Sequence, residues 1–559
     1  MFRAITFALC LGSVADRSFA ESTPARHGAA ATVNRLATDA AMSALRKGGN
    51  AVDAAVAAAL TLGVVDGHNS GLGGGCFMLV RLANGKVVAI DGREMAPLAA
   101  TRDMFVREGK ADPQLSQTGA LASGVPGALA AYDYAVRSFG KLRLQELLLP
   151  AAQIAEDGFA INRQYAQRLE ATARELGMFE STRVIFLKPG GEPWQEGKIL
   201  RQPDLARTYR MIAKNGFGWF YHGPFARATE DWMTANRGLL RFEDFDKYHV
   251  LLRAPIETSY RGYQVIGFSP PSSGGVHVAQ ILNILENFDL KKMGPNSPAL
   301  VHVVSEAMKL AFADRAHWLG DPDFARVPRG LASKEYAAGL AKKIRLDRKS
   351  DVPAHGMPPN AAEDIFNRHT THFSTADAEG NWVACTATLN TSFGSKVVVP
   401  GTGVVLNNQM DDFSVQPGVP NYFGLIGAEA NAIAPGKRPL SSMSPTILLK
   451  DGKPVLSVGA AGGPAIISQV VIAIINIVDF GMSPETALGQ PRFHHQWRPD
   501  ELVVERRIGE NVLRDLEGRG HKLKRVDSIG AAQAVAVSAR DGSFIGASDP
   551  RVEENAAVW

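Results

Sequence analysis

The sequence RHTTHFSTADAEGNWVACTATLN, residues 368–390, contains the pattern that decides the fold. Residues 372–377 and 382–388 have the composition of β-strands. Between them lies Ala378-Glu379-Gly380-Asn381, which is typical of a turn. The pattern predicts an antiparallel hairpin.

The pairing within this hairpin can be extended toward residue 370. If Asp377 pairs with Trp382, Thr371 lies opposite Thr388 and Thr370 lies one position further. A register shift of one residue would still bring Thr388 close to Thr370. A second hydroxyl at that place can hydrogen-bond a nucleophile and orient it, although Thr388 alone is an ordinary strand residue.

The Thr370 hydroxyl is a weak nucleophile unless a base lies beside it. Cleavage between His369 and Thr370 would give Thr370 a free α-amino group, and such groups have a pKa of about 8. This amine is substantially neutral near neutral pH and can accept the hydroxyl proton directly or through water. Taken alone, two adjacent threonines indicate only the polar start of a strand. If cleavage occurred one residue later, Thr371 would be the nucleophile.

Further hairpins are predicted from turn sequences between short apolar runs. The turns are Ala83-Asn84-Gly85-Lys86, Asp451-Gly452 and Asp541-Gly542. Residues 51–62 are apolar on nearly every side and predict a buried helix, which Gly63 is expected to end. Antiparallel strands covered by apolar helices predict a layered α+β fold.

The middle of the chain, residues 100–345, is predicted to be helical with short loops. Residues 346–363 are polar and contain three prolines, so they are the best linker candidate. After this segment, the predicted secondary structure changes from helices to strands. The predicted cleavage position therefore follows a linker and precedes a sheet.

Composition and charge exclude several classes of protein. The chain is 45% hydrophobic and 21% charged, which is ordinary for a globular protein. Its 60 Lys and Arg residues against 56 Asp and Glu give a net charge of +4, too small to indicate nucleic acid as the main partner. Three cysteines cannot form a disulfide framework, and we interpret Cys76 and Cys385 as small buried residues rather than as a bridge.

Two glycine-rich segments differ in what they indicate. Residues 71–75 lack the G-x-G-x-x-G and Walker A patterns and precede a strand, so they do not indicate nucleotide binding. Gly462-Gly463 stands before Pro464, at the start of a predicted helix. Backbone N–H groups there can bind an anion or stabilise an oxyanion, although such a pair is usually only a tight turn.

No pattern for a metal site is found in the sequence. The H-E-x-x-H motif is absent, and His494-His495 is the only histidine pair that suggests metal. Adjacent side chains point in different directions in a strand or a helix, so the pair is a poor chelator. We expect structural or surface histidines and no metal.

The N-terminus resembles a bacterial signal peptide of residues 1–20. Arg3 provides a positive start, residues 4–14 are mostly apolar, and Ser18-Phe19-Ala20 resembles a cleavage site. The alternative is a frayed N-terminal helix. No later segment has 18 uncharged apolar residues, and residues 465–478 suit a buried core helix. We expect a periplasmic or secreted protein without a transmembrane anchor.

Several segments together resemble the γ-glutamyltransferase (γ-glutamyltranspeptidase) family of N-terminal-nucleophile hydrolases. Any one segment is weak evidence for the family, but the order and spacing of all the segments are specific to it. The resemblance covers nearly the whole chain after the leader. The segments are GGNAVDAAVAAAL at 48–60, DGREMAP at 91–97, PPSSGG at 270–275, TTHFS at 370–374, TLNTSFG at 388–394, LNNQMDDFS at 406–414, RPLSSMSPT at 438–446, GG at 462–463 and PRFHHQW at 491–497.

This resemblance implies a precursor that cleaves itself between His369 and Thr370. The large subunit would be residues 21–369 and the small subunit residues 370–559, which remain together as a heterodimer in a four-layer αββα sandwich. Residues implied for catalysis are Thr370 as processing residue and nucleophile, Thr388 as its support, and the N–H groups of Gly462 and Gly463 as the oxyanion hole.

The resemblance also implies a receptor for the free amino-acid end of a γ-glutamyl group. Arg93 matches the family residue that binds the α-carboxylate, for which a bidentate cation is suited. Its implied hydroxyl partners are Ser441 and Ser442, and the implied acceptors around the ammonium are Asn390, Gln409 and Asp412. The expected donors are glutathione and its conjugates, the acceptors are water, amino acids or dipeptides, and no cofactor is required.

One segment departs from the family pattern. In bacterial members a lid tyrosine often reaches the asparagine equivalent to Asn390, whereas Phe423 occupies that position here and lacks the hydroxyl. Tyr422 could substitute only if the loop shifts by one residue. A weaker contact between the lid and Asn390 would admit water to the site, so we expect hydrolysis to be favoured over transfer.

Two other functions compete with this interpretation. A cephalosporin or glutaryl-amide acylase has the same fold, but its substrates can lack the ammonium that Asp412 would bind. A periplasmic binding protein or a scaffold that no longer cleaves itself is the alternative from another class. The intact Thr370, Thr388 and glycine pair argue against it.

Overall fold

Two antiparallel β-sheets lie face to face at the centre of the protein, and helices cover the outer face of each sheet. The computed structural model describes residues 25–362, 374–552 and 555–559. The predicted leader, residues 1–20, lies outside the described residues.

The strands of the described chain form two large sheets and three small ones. Along the chain they are β1 (Gly28–Ala31), β2 (Gly75–Arg81), β3 (Val87–Gly92), β4 (Val106–Arg107), β5 (Lys110–Ala111), β6 (Phe159–Ala160), β7 (Ile199–Leu200), β8 (Leu251–Leu252), β9 (Ile256–Tyr260), β10 (Tyr263–Gly267), β11 (Thr375–Asp377), β12 (Trp382–Thr388), β13 (Thr446–Lys450), β14 (Lys453–Ala461), β15 (Phe493–His494), β16 (Leu502–Glu505), β17 (Leu523–Val526), β18 (Ala531–Val537), β19 (Phe544–Ser548) and β20 (Ala556–Val558). The first large sheet has the order β20-β1-β11-β12-β2-β3-β8, and the second has the order β19-β18-β14-β13-β10-β9.

The helices are distributed over both sides of the sheet pair. They are α1 (Arg35–Arg46), α2 (Ala51–Val65), α3 (Pro113–Gln117), α4 (Ala128–Phe139), α5 (Leu144–Asp157), α6 (Arg163–Leu176), α7 (Glu180–Phe186), α8 (Pro203–Asn215), α9 (Gly218–Tyr221), α10 (Pro224–Ala235), α11 (Phe242–Asp246), α12 (Gly274–Leu285), α13 (Leu290–Met293), α14 (Pro298–Trp318), α15 (Lys334–Ala341), α16 (Ala465–Val478), α17 (Pro484–Gly489) and α18 (Glu510–Gly518).

Three apolar cores separate the four layers. Leu79 and Trp382 of the first sheet pack against Ile266 and Ile447 of the second, which makes the middle core. Helices α2 and α4 pack on the outer face of the first sheet, and α12 and α16 pack on the outer face of the second. The predicted αββα sandwich is confirmed.

The predicted hairpins are all present, but the first has a different register. Ala376, not Asp377, pairs with Trp382. Asp377 is the last residue of β11, and its carboxylate accepts hydrogen bonds from the backbone N–H groups of Glu379 and Asn381 in the turn. Gly380 has φ +94° and closes a three-residue loop. The pairing is therefore one residue away from the predicted one.

Helix α2 continues two residues past Gly63, which was predicted to end it. A Cβ atom at Gly63 would lie 2.7 Å from the Tyr209 hydroxyl oxygen. Glycine is therefore required here for close packing against Tyr209 and not for a helix stop. The predicted start is correct, because the Asn50 side chain caps the first turn together with Asp53.

The predicted linker contains no helix or strand in its described part, residues 346–362, but α14 holds it in place. Lys309 donates to the Ser350 carbonyl at 2.7 Å, and the Ser350 N–H donates to Glu306 at 2.7 Å. Asp314 accepts from the Gly356 N–H at 2.6 Å. The segment that leads toward residue 363 is thus anchored.

The predictions for the cysteines and for residues 465–478 agree with the structure. Cys76 and Cys385 are buried and not bridged to each other. Residues 465–478 form α16, whose first twelve residues are buried against the second sheet. Within the described part of the chain, no helix is long and apolar enough to cross a bilayer.

Candidate active site

A cavity of about 120 Å³ lies where β12, β14 and the loop before β13 meet. The predicted site residues in its lining are Arg93, Thr388, Asn390, Gln409, Asp412, Phe423, Ser441, Ser442, Gly462 and Gly463. The described chain thus brings together all the predicted site residues that it contains except Tyr422. The bond between His369 and Thr370, and Thr371, lie outside the described residues.

Thr388 is placed at the cavity because it ends β12 beside the start of β2. It pairs with Gly75, and its hydroxyl oxygen accepts a hydrogen bond from the Asn390 N–H at 2.7 Å. A Cβ atom at Gly74 would lie 2.0 Å from the Thr388 carbonyl oxygen, so only glycine allows this approach. The glycine loop therefore has a packing function at the site.

The glycine pair joins β14 to α16 with two residues of positive φ. Gly462 has φ +132° and Gly463 has φ +59°, conformations that favour glycine. Among the described residues, neither N–H has a hydrogen-bond acceptor, and both glycines line the cavity. The pair can therefore donate to an anion or an oxyanion.

Arg93 follows β3, is buried and lines the same cavity. Its Nη2 atom lies 2.5 Å from an Asp412 carboxylate oxygen, and its Nε atom donates to the Pro439 carbonyl at 3.0 Å. The same Asp412 oxygen accepts from the Gln409 Nε2 atom at 2.8 Å. A cation and an anion thus lie side by side, an arrangement that suits a ligand with one carboxylate and one ammonium.

Two further carboxyl groups lie beside Arg93. Burial raises the pKa of Glu94 to about 7, an effect that the Arg93 cation opposes and the Asp412 charge reinforces. Burial also acts to raise the pKa of Asp91, but the neighbouring Arg438 and Arg253 outweigh it and lower that pKa. Asp91 accepts the Arg93 N–H at 2.9 Å, so a buried charged cluster fixes the backbone from which Arg93 extends.

The PPSSGG segment fixes the loop that carries Ser441 and Ser442. The Ser273 hydroxyl and N–H both donate to the Ser441 carbonyl, at 2.7 and 2.8 Å. The Ser442 hydroxyl oxygen accepts a hydrogen bond from Arg315 at 3.1 Å. The sequence analysis missed Arg315, although a charged residue at the end of the apolar pattern of α14 was a signal for it.

The two lid residues have opposite orientations. Tyr422 is 57% exposed, whereas Phe423 lines the cavity and packs its ring over Gly463. Gln496 donates to the Phe423 carbonyl at 3.2 Å and holds the lid on the second sheet's side. Phe423 and Asn390 line the same cavity, and the side chain of Asn390 donates to the Asn408 carbonyl.

The histidines of the PRFHHQW segment have separate partners. His494 pairs with the Ser468 hydroxyl at 2.7 Å, and His495 pairs with Asp500 at 3.2 Å, so the two rings do not converge. One potential ligand group occurs in the described chain, formed by His302, Glu306 and His521. The two rings hydrogen-bond each other at 2.7 Å, and the Lys309 ammonium lies 2.7 Å from the Glu306 carboxylate.

Comparison with solved structures defines the class of protein. A structure of cephalosporin acylase from Bacillus halodurans has a TM-score of 0.86 and 29% identity, and the match covers 100% of this chain and 99% of that chain. A structure of γ-glutamyltranspeptidase from Helicobacter pylori has a TM-score of 0.59 and 39% identity, and the match covers 61% of this chain and 98% of that chain. The fold is that of the N-terminal-nucleophile hydrolases.

Comparison of sequences then defines the family. The family profile for gamma-glutamyltranspeptidase matches residues 37–559. The glutathione hydrolase proenzyme of Escherichia coli (strain K12) is 46% identical over 530 residues, which are 94% of this chain and 91% of that protein. The chain belongs to the γ-glutamyltranspeptidase family, and it is an enzyme.

Proposed function

We propose that this protein is a self-processing γ-glutamyltransferase that hydrolyses glutathione and related γ-glutamyl compounds. The observation that carries the proposal is the cavity itself. Its lining contains the Arg93 and Asp412 pair together with two glycine N–H groups that lack acceptors among the described residues. A γ-glutamyl group has a carboxylate and an ammonium at one end and a scissile amide at the other, and the charged pair and the glycine N–H groups suit these two ends.

The proposal includes cleavage between His369 and Thr370, giving subunits of residues 21–369 and 370–559. A strand that continued the observed pairing of Thr375 with Val383 would bring residue 370 opposite Thr388. The chain of the Helicobacter pylori structure matches only 61% of this chain while 98% of that chain is covered, which is consistent with a separate large subunit. The relative from Escherichia coli is named a proenzyme.

The proposed reaction starts from the hydroxyl of Thr370. Its α-amine takes the hydroxyl proton while the oxygen attacks the γ-carbonyl carbon, and the resulting oxyanion accepts hydrogen bonds from Gly462 and Gly463. Collapse of this intermediate breaks the carbon–nitrogen bond, and the protonated amine gives its proton to the departing amine. Water, an amino acid or a dipeptide then attacks the ester and releases the γ-glutamyl group.

The acylase alternative is weaker because of Asp412. A glutaryl group has a carboxylate but no ammonium, so a buried anion next to Arg93 would bring it no benefit. The lid supports hydrolysis over transfer, since Phe423 has no hydroxyl that could hold Asn390. We further propose export through the leader at residues 1–20 to the periplasm or medium.

A denaturing gel and N-terminal sequencing of the small fragment test the proposal. We expect two bands of about 37 and 20 kDa, obtained by scaling 59.9 kDa with subunit length, and a small fragment that starts at Thr370. The Thr370→Ala variant should give one uncut band and no hydrolysis of γ-glutamyl-p-nitroanilide. An active wild-type protein that runs as a single chain contradicts the proposal.

A further inference from the structure

Arg315 is a buried cation at the candidate active site for which the proposed reaction has no use so far. It lies in the last turn of α14, is 5% exposed and lines the cavity. Its Nε atom donates to the Ser273 hydroxyl at 3.0 Å, and its Nη2 atom donates to the Ser442 hydroxyl at 3.1 Å. Within the described residues it forms no ion pair with a carboxylate.

A buried guanidinium without an anionic partner is costly, because burial removes it from water. Burial lowers the pKa of Arg315 to about 10, an effect that Asp412 opposes and Arg93 reinforces. Arg315 is therefore still charged at neutral pH. Two cations, Arg93 and Arg315, thus line one cavity. Of these two, only Arg93 has carboxylate partners among the described residues.

The direction of the hydrogen bonds shows what Arg315 does to Ser442. A guanidinium can only donate, so the Ser442 oxygen must accept. The hydroxyl proton of Ser442 is then directed away from Arg315, and in the described chain the hydroxyl has no other hydrogen-bond partner. Because Ser442 lines the cavity, the proton is available to an anionic group bound there.

We propose that Arg315 is a positioning residue that sets the Ser442 hydroxyl as a donor to the α-carboxylate of the γ-glutamyl substrate. This inference rests on the proposed function. Arg315 acts through Ser442 and through its own positive charge, while Ser273 holds the other edge of the guanidinium. This arrangement of Arg315 and Ser442 makes the site selective for acyl groups that carry a carboxylate at the end remote from the scissile amide.

Three p-nitroanilides separate this role from a structural one. The γ-glutamyl group carries the carboxylate and the ammonium, the glutaryl group carries only the carboxylate, and the 4-aminobutyryl group carries only the ammonium. We expect Arg315→Lys, which keeps the charge but cannot reach both hydroxyls in one fork, to raise KM for the first two about tenfold. The kinetics of 4-aminobutyryl-p-nitroanilide should not change.

A double-mutant cycle tests the connection to Ser442 with γ-glutamyl-p-nitroanilide alone. Ser442→Ala removes the hydroxyl, so Arg315→Lys should add little to KM in that background. Arg261→Lys is the matched control, since Arg261 is a partly buried arginine of the β9–β10 turn that bonds Asp479. Its KM should equal that of the wild type.

Two results would overturn the role of Arg315. One is an equal loss on all three anilides, and the other is full additivity with Ser442→Ala. If Arg315→Lys does not mature on a gel, Ser273→Ala replaces it, because this change frees the Nε edge and keeps the charge. Failure of the wild type to hydrolyse γ-glutamyl-p-nitroanilide would instead contradict the proposed function.

Discussion

Replacing Asp412 with asparagine tests how the cavity distinguishes a γ-glutamyl group from a glutaryl group. Asp412 lies 2.5 Å from Arg93 and 2.8 Å from the Gln409 amide nitrogen, and its side chain is 11% exposed. The Asp412→Asn change keeps the size of the side chain and removes its negative charge. Only the γ-glutamyl group has an ammonium that would respond to that charge.

The magnitude follows from the charge-assisted hydrogen bond between an ammonium and a carboxylate. Such a bond contributes about 1.5–3 kcal/mol, which corresponds to roughly 10- to 150-fold in kcat/KM. We expect that loss for γ-glutamyl-p-nitroanilide. Glutaryl-p-nitroanilide should change by a factor of about 3 or less, because the carboxylate that both substrates share still binds Arg93.

The assay is the ratio of kcat/KM for the two anilides, measured on the matured variant and on the wild type. Asp412 reinforces the raised pKa of Glu94, so its loss favours ionised Glu94 beside Arg93 and keeps that cation paired. Glu429→Gln, which removes a surface partner of Arg102, is the control and should leave the ratio unchanged. An equal loss on both anilides, or a wild type that prefers the glutaryl substrate, would refute the reasoning.

The remaining predictions concern a second carboxyl group and the lid. Glu94 has a pKa of about 7 in the fold, so the folded state holds a proton that the unfolded state releases from about pH 4.5 upward. The contribution of the protonated Glu94 to stability is therefore lost as pH rises toward 7, by on the order of 3 kcal/mol. Glutamine does not titrate, so the thermal midpoint of Glu94→Gln should rise relative to that of the wild type between pH 5 and pH 8. Parallel pH profiles of the two proteins would contradict this. Phe423→Tyr adds a hydroxyl to a ring that lines the same cavity as Asn390. We expect one hydrogen bond between the two side chains to raise the ratio of transfer to hydrolysis about fivefold with glycylglycine as acceptor; an unchanged ratio would show that the lid hydroxyl does not control water.

Local sequence patterns determined the secondary structure near turns. Asn84-Gly85, Asp451-Gly452 and Asp541-Gly542 each lie in a hairpin of the structure, and the glycine of each pair has the positive φ that tight turns need. The N-terminal cap of α2 was also predictable from the sequence, since Asn50 and Asp53 act within one turn. Such signals depend on neighbours in the chain and need no tertiary contact.

The motif segments also determined which residues form the candidate site. Arg93 and Asp412 are 319 positions apart, yet both belong to segments that the sequence identified. The resemblance supplied this selection, and composition or periodicity did not. The geometry of the site, including the direct contact of the two charges, came only from the packed sheets.

Tertiary structure decided the details that depend on side chains from distant segments. The carboxylate of Asp377 accepts a hydrogen bond from the Ala51 N–H, 326 positions away, at the end of the first hairpin strand, and Tyr209 packs so closely against Gly63 that only glycine fits inside the helix there. Arg315 meets Ser442 across 127 positions, and nothing local to either residue encodes that contact. The sequence by itself therefore determined the layered fold, the family and the candidate residues, because those depend on short-range patterns and matched segments. Only packing decided register, helix length and the orientation of the Ser442 hydroxyl, because each depends on which atoms the rest of the chain brings within hydrogen-bond distance.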